Sequence, residues 1–207
     1  MKNLKPALLI LAVLASATLF AGLGVPGELN PLLASANIAI NAVEGYTVAK
    51  VKDSEGVRIR VRDPQGKEFW VSDVLGDQEK KFFFNGQSSN LLIADLNADQ
   101  KPEIITAVSY PPHNGSLHVF TLDKEQQHFV PIQFSNPKTS DSNAFLASDM
   151  LQEDGQELAF VDNNRVRALG MLYPEDEGNE AVASFFFYKL SGDSFTFDGS
   201  EPVPVDN

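Results

Sequence analysis

Four oxygen-bearing side chains recur within nine residues of one short segment. Asp95, Asn97, Asp99 and Glu103 stand at positions one, three, five and nine of a loop, with apolar Leu91-Leu92-Ile93-Ala94 before it and Ile104-Ile105 after it. Alternate residues of a tight turn point to one side, so three side-chain oxygens converge on one centre. The main-chain carbonyl of Lys101, at position seven, adds a fourth. Ligation by oxygen alone, mostly from carboxylates, suits calcium, which takes roughly six to eight oxygens at about 2.3–2.6 Å, and does not suit zinc or copper. The same residues have a plainer reading, in which Asp95 and Asn97 accept main-chain N–H groups of their own turn.

With its flanking strands the segment resembles the calcium loop of integrin-type FG-GAP repeats and the related VCBS-like repeats, whose pattern is strand, D-x-[DN]-x-D-G-x-x-D, strand. The likeness covers residues 91–105. It implies Asp95, Asn97, Asp99 and Glu103 as side-chain ligands of calcium and Lys101 as a carbonyl ligand. Gln100 stands where the pattern has Gly, which places a Cβ at a position that needs positive φ. Glu103 replaces the usual Asp with a longer side chain. A partial copy lies downstream, where Asp149 aligns with Asp95, Leu151 with Asn97, Glu153 with Asp99, Gly155 with Lys101 and Glu157 with Glu103. Leu151 offers no oxygen, so the copy is expected to be a metal-free turn.

The elements that must hold these loops are strands. From residue 45 onward apolar residues fall in short alternating or continuous runs separated by Gly, Asp, Asn and Pro, the strand-and-turn signature. Tyr46 to Val51, Val57 to Arg62 and Lys67 to Val71 are joined by Asp53-Ser54-Glu55-Gly56 and Asp63-Pro64-Gln65-Gly66. This predicts an antiparallel meander over 45–84 with Val57, Ile59 and Val61 inward and Arg58, Arg60 and Arg62 on a wet outer face. Further strands are predicted at 81–84, 90–94, 103–110, 116–123, 129–134, 144–148, 157–162, 165–172, 181–190 and 194–197. Phe82-Phe83-Phe84 and Phe185-Phe186-Phe187 are expected to supply core bulk. The repeat implies two propeller-blade-like units, 85–138 and 139–197. Propellers close with about four to eight blades, more than this chain holds at that period. The expected fold is therefore all-β, an antiparallel meander plus two blade-like units, not a closed propeller.

Composition narrows the function. The 207 residues include 43% hydrophobic and 21% charged side chains, enough apolar material for a core. A net charge of −12 repels nucleic-acid phosphates and anionic lipids. Cysteine is absent, which removes disulfides, thiolate metal sites and a Cys nucleophile. His113, His118 and His128 show no metal-ligand spacing and are expected at the surface or in caps. No phosphate loop, G-x-S-x-G elbow or H-E-x-x-H segment occurs. Lys2 and Lys5 precede the uncharged apolar run 7–25, the order of a secretory signal. Cleavage is expected near Ala36, after Ala34-Ser35-Ala36, with an earlier cut around Ala21 as the alternative. The domain then spans 37–207 and is secreted or periplasmic; if the run is retained, it anchors the domain to the inner membrane. The preferred expectation is an exported, non-catalytic module that binds a protein or carbohydrate and carries a structural calcium ion. The alternatives are a secreted or periplasmic hydrolase using acidic-loop carboxylates and a membrane-anchored envelope factor.

Overall fold

The computed structural model describes residues 32–110, 114–123, 125, 127–137, 139–150, 152, 154–173 and 180–204. Strand makes up 67% of the described residues, no helix occurs among them, and none of their sheets closes on itself. The expected all-β, open architecture is therefore the observed one.

The chain begins its described course with β1 (Leu32–Ile40), β2 (Val43–Lys52), β3 (Val57–Arg62) and β4 (Glu68–Val71), an antiparallel sheet in chain order. Asn41 and Ala42 both take positive φ between β1 and β2, the geometry of a two-residue hairpin turn. Asp53 Oδ1 accepts the N–H groups of Glu55 and Gly56 at 2.9 and 3.1 Å, and Asp63 Oδ1 those of Gln65 and Lys67 at 3.0 and 2.8 Å. These Asx turns fix both predicted connections. Val57, Ile59 and Val61 are fully buried, whereas Arg58 faces outward and pairs with Asp53 and Glu55. The meander thus has one strand more than expected. β1 runs through Ala36, the residue at which the sequence places the end of a removable leader; the earlier part of that leader lies outside the described residues.

Then come β5 (Gln78–Lys80), β6 (Phe82–Phe84), β7 (Gln87–Ser89), β8 (Leu91–Ala94), β9 (Glu103–Tyr110), β10 (Asn114–Asp123), β11 (His128–Pro131), β12 (Gln133–Asn136), β13 (Asp141–Asn143), β14 (Leu146–Ser148), β15 (Leu158–Asp162), β16 (Arg165–Leu172), β17 (Val182–Ser191) and β18 (Ser194–Pro202). A second sheet runs β11-β10-β9-β5, with β8 also on β9 and β14 also on β10. A third runs β13-β12-β18-β17-β16-β15-β6-β7. Strands cross the expected repeat boundaries: β6 and β7 join the sheet of the second copy, and β14 joins that of the first. The two loop copies also differ in pairing. β8 and β9 form a hairpin ending in the pair Ala94↔Glu103, but β14 pairs with β10 rather than with β15.

Two hydrophobic cores flank the second sheet. One joins Ile38, Val48, Ile59 and Val61 of the first sheet to Ile104, Val108, Phe120 and Phe129. The other joins Ile105, Ala107, Leu117 and Val119 to Phe82, Leu158, Phe160, Val166 and Phe195 of the third. β9 and β10 are consequently covered on both faces, which accounts for their near-continuous apolar runs. Phe82 is core as expected. Phe187, 6% exposed, is also buried as expected and carries the Arg165 guanidinium 4.3 Å from its ring centroid, while Phe185 is half-buried under that of Arg167 at 3.8 Å.

Candidate functional site

The 95–103 loop closes the β8–β9 hairpin. Leu96, 3% exposed, anchors it in the core, while Asp95, Asn97, Asp99 and Gln100 are exposed and Lys101 is half-buried. Asp95 accepts N–H groups through both carboxylate oxygens, from Asp99 to Oδ1 at 3.1 Å and from Gln100 to Oδ2 at 2.9 Å. Asn97 Oδ1 accepts the N–H of Asp99 at 3.0 Å, and Asp99 Oδ1 that of Lys101 at 2.8 Å. The ammonium of Lys101 lies 3.4 Å from Asp99 Oδ2. Gln100 has φ +67°, so the backbone makes the left-handed turn that the pattern's Gly serves, despite its side chain.

Glu103 opens β9 and points inward with no exposed surface. Its Oε2 accepts the Leu96 N–H at 2.8 Å and its Oε1 the Thr121 hydroxyl at 3.4 Å. Burial pushes its carboxyl up to about 7, the Leu96 N–H opposes this, and the charges of Asp99 and Asp95 push it further up. The structure thus brings Glu103 within electrostatic reach of both aspartates. It does not gather three His, Asp or Glu side chains around one point as they stand among the described residues. The Asx turns are formed, as the plainer reading expects. The donor set still fits a hard cation: every group is oxygen, and the charges of Asp99 and Asp95 bear on the buried Glu103 carboxyl.

In the 149–157 copy, Asp149 is exposed and Glu157 is fully buried; Leu151 and Glu153 lie outside the described residues. Lys80 Nζ stands 2.9 Å from Glu157 Oε1. The approach is an ion pair by distance but off the hydrogen-bonding angle, so neither Glu157 oxygen has an aligned donor. Gly155, at φ +86°, passes so close to β5–β6 that an added Cβ would lie 2.4 Å from the Lys81 carbonyl oxygen.

Sequence reasoning missed Lys50 and Lys80 and misplaced His118. Lys50 shares the inward phase of β2 with Tyr46 and Val48, a signal of burial that its charge obscures. It has no exposed surface. Its ammonium donates to the carbonyls of Ala107, Asn90 and Lys80 at 2.6, 3.1 and 3.2 Å. His118, expected at the surface or in a cap, is 6% exposed, stacked on Phe120 and tilted against Phe145. Burial first, and then the Lys50 charge, hold its imidazole down at about 4, against the acceptor at Leu75. Ser116 Oγ lies 3.1 Å from His118 Nε2, but Ser116 is 3% exposed, so the pair presents no surface to a substrate. His128 is half-buried as the first residue of β11, and His113 lies outside the described residues.

An open hollow of about 560 Å³ lies against the outer Arg face, lined by Asp53, Glu55, Arg58, Arg60 and Glu68 among others. Arg58 engages Asp53 at 3.1 Å and also Glu55, and Arg60 stands 3.7 Å from Glu68, so its carboxylates are held in ion pairs. Comparison with known proteins gives no match: no family model, curated protein or solved structure is significantly similar to the chain.

Proposed function

We propose that the chain is an exported, non-catalytic β-repeat module that presents surface to a protein or carbohydrate, with a calcium ion rigidifying the 95–103 loop. The observation that carries the metal reading is the state of Glu103. A fully buried carboxyl is raised to about 7, partly by the charges of Asp95 and Asp99. A divalent cation at this corner relieves that repulsion and is bound by the folded state alone, so it stabilises by mass action. The left-handed turn at Gln100 adds support, because it gives the loop the backbone course of the resembling pattern. Calcium, when bound, supplies positive charge to a structural corner. Asp95, Asn97, Asp99 and Glu103 would hold it with side-chain oxygens and Lys101 with its carbonyl, in exchange for some of the present N–H contacts.

Export rests on the order of Lys2, Lys5 and the apolar run 7–25. The non-catalytic reading rests on the ion-paired carboxylates of the Arg-face hollow and on the sealed Ser116–His118 pair.

Thermal melts in calcium and in chelator test the metal. A midpoint several degrees higher in calcium is expected, together with loss of that response in Asp95→Ala. An unchanged midpoint in the wild-type chain removes the ion from the account.

A further inference from the structure

We propose that the ammonium of Lys80 takes the place of a cation in the 149–157 loop, so that this copy is held by a charge tethered to the chain. Glu157 aligns with Glu103 and, like it, is fully buried: Glu103 opens β9, and Glu157 immediately precedes β15. The two carboxylates have different partners. Glu103 accepts the Leu96 N–H, but the counterpart of Leu96 in the second copy is Met150, whose N–H goes instead to Ser148 Oγ at 3.3 Å. Glu157 therefore lacks the amide that serves its counterpart. Lys80 enters from β5, stands 2.9 Å from Glu157 Oε1 and donates to the Gln152 carbonyl.

A buried carboxylate without a partner is strongly unfavourable, so this position requires a positive charge. The surrounding contacts keep that charge in place. The close passage of Gly155 over Lys81 and the 2.5 Å bond from Ser88 Oγ to the Asp154 carbonyl fasten the loop onto the segment that carries Lys80. The Lys80 side chain is only 12% exposed. The second loop thus has its cation whatever the solution contains, and only the first loop is open to a soluble one.

The test uses the full chain carrying Asp95→Ala, which silences the first loop and keeps this outcome separate from that of the metal reading there. Adding Lys80→Ala is expected to lower the melting midpoint by roughly 10 °C in chelator. Calcium chloride or ethylammonium chloride then recovers at least half of that loss, and a further Glu157→Gln removes the salt response while restoring the midpoint. A Lys80→Ala chain that melts like its parent, or that answers neither cation, overturns the proposal. If Lys80→Ala does not fold, the Lys80→Ala/Glu157→Gln pair decides: regained folding supports the tethered charge, and continued failure overturns it.

Discussion

Lys50 Nζ lies 2.6 Å from the carbonyl oxygen of Ala107, inside the contact between the first sheet and the second. Two further carbonyls, those of Asn90 and Lys80, complete its donors, so one side chain of β2 ties down the chain at three places in or beside the second sheet. Through the Lys80 carbonyl the clamp continues to Glu157, because the same residue extends its own ammonium into the third sheet's loop.

Replacing Lys50 by Met removes three bonds and strands their acceptors in the interior. A loss of about 2–4 kcal/mol is expected, read as a lower urea midpoint. The pH dependence is distinctive. Burial lowers the Lys50 ammonium from 10.5 to about 8, against the Glu79 charge. Between about pH 8 and 10.5 the unfolded chain therefore holds more protons at this group, and stability rises with pH across that window. Lys50→Met abolishes the rise; a variant that keeps it would contradict the assignment.

Glu103 and His118 oppose each other in acid. His118, lowered from 6.5 to about 4, makes stability fall as pH drops through that interval, since the unfolded chain takes the proton first. Glu103, raised from 4.5 to about 7, does the reverse: its folded form keeps a proton longer, so stability is greatest below 4.5 and declines as pH rises toward 7. Each full excursion is of the order of 3 kcal/mol, and the sum is nearly flat between about pH 4.5 and 6.5. In chelator, Glu103→Gln is expected to expose a steep acid loss and His118→Gln an opposite slope. Equal, flat profiles in both variants would refute the pairing.

Gln100 is held at φ +67° with a Cβ. A left-handed residue other than Gly costs roughly 1–2 kcal/mol, and Gly gives back about 0.5–1 kcal/mol through the unfolded chain. Gln100→Gly should therefore stabilise by about 0.5 kcal/mol in chelator. An unchanged or lower denaturation midpoint would show that the Gln100 side chain contributes more than the strain removes.

β1 opens the described part of the chain and packs buried side chains into the first core. A cut after Ala36 would discard the pairs Leu32↔Val51, Ala34↔Lys50, Ser35↔Ala49 and Ala36↔Val48, leaving only the end of the strand that carries buried Ile38 and Ile40. On the export proposed above, mass spectrometry of the processed protein is therefore expected to find an N-terminus upstream of Leu32, in line with the earlier cut around Ala21. A product beginning at Asn37 would sink this expectation. A chain begun there by design should melt well below one begun at Leu32.

Strand-level features were legible wherever period and punctuation agreed. Val57, Ile59 and Val61 alternate with arginines between two Asp-led turns, and both phase and connections follow from that. β9 shows itself as a continuous apolar run bounded by Glu103 and Tyr110. β1 stayed hidden because small apolar residues after a hydrophobic run look like a leader's end as readily as a strand. β5 and β7 are three residues long and mostly polar, too short for a period. Pairing was legible between neighbours joined by tight turns, as in β2–β3–β4, but not beyond them: the same Asp-to-Glu spacing gives a hairpin at 95–103 and a crossing at 149–157. The partner of Glu157 lies at Lys80, far upstream, and no local pattern points to it. At the candidate site, residue identity revealed which atoms are present and offered two uses for them; that Asp95 and Asn97 accept the N–H groups of their own turn was one of the two, and nothing in the spacing decided between them.

Because β9 and β10 are shared by both cores, neither core is expected to survive the loss of the other. Peeling away the first sheet would bare one side of the middle layer, and the third sheet would then rest on strands with water at their backs. The molecule should accordingly denature in one step, and an excised half, cut at either sequence repeat, should behave as an unstructured peptide.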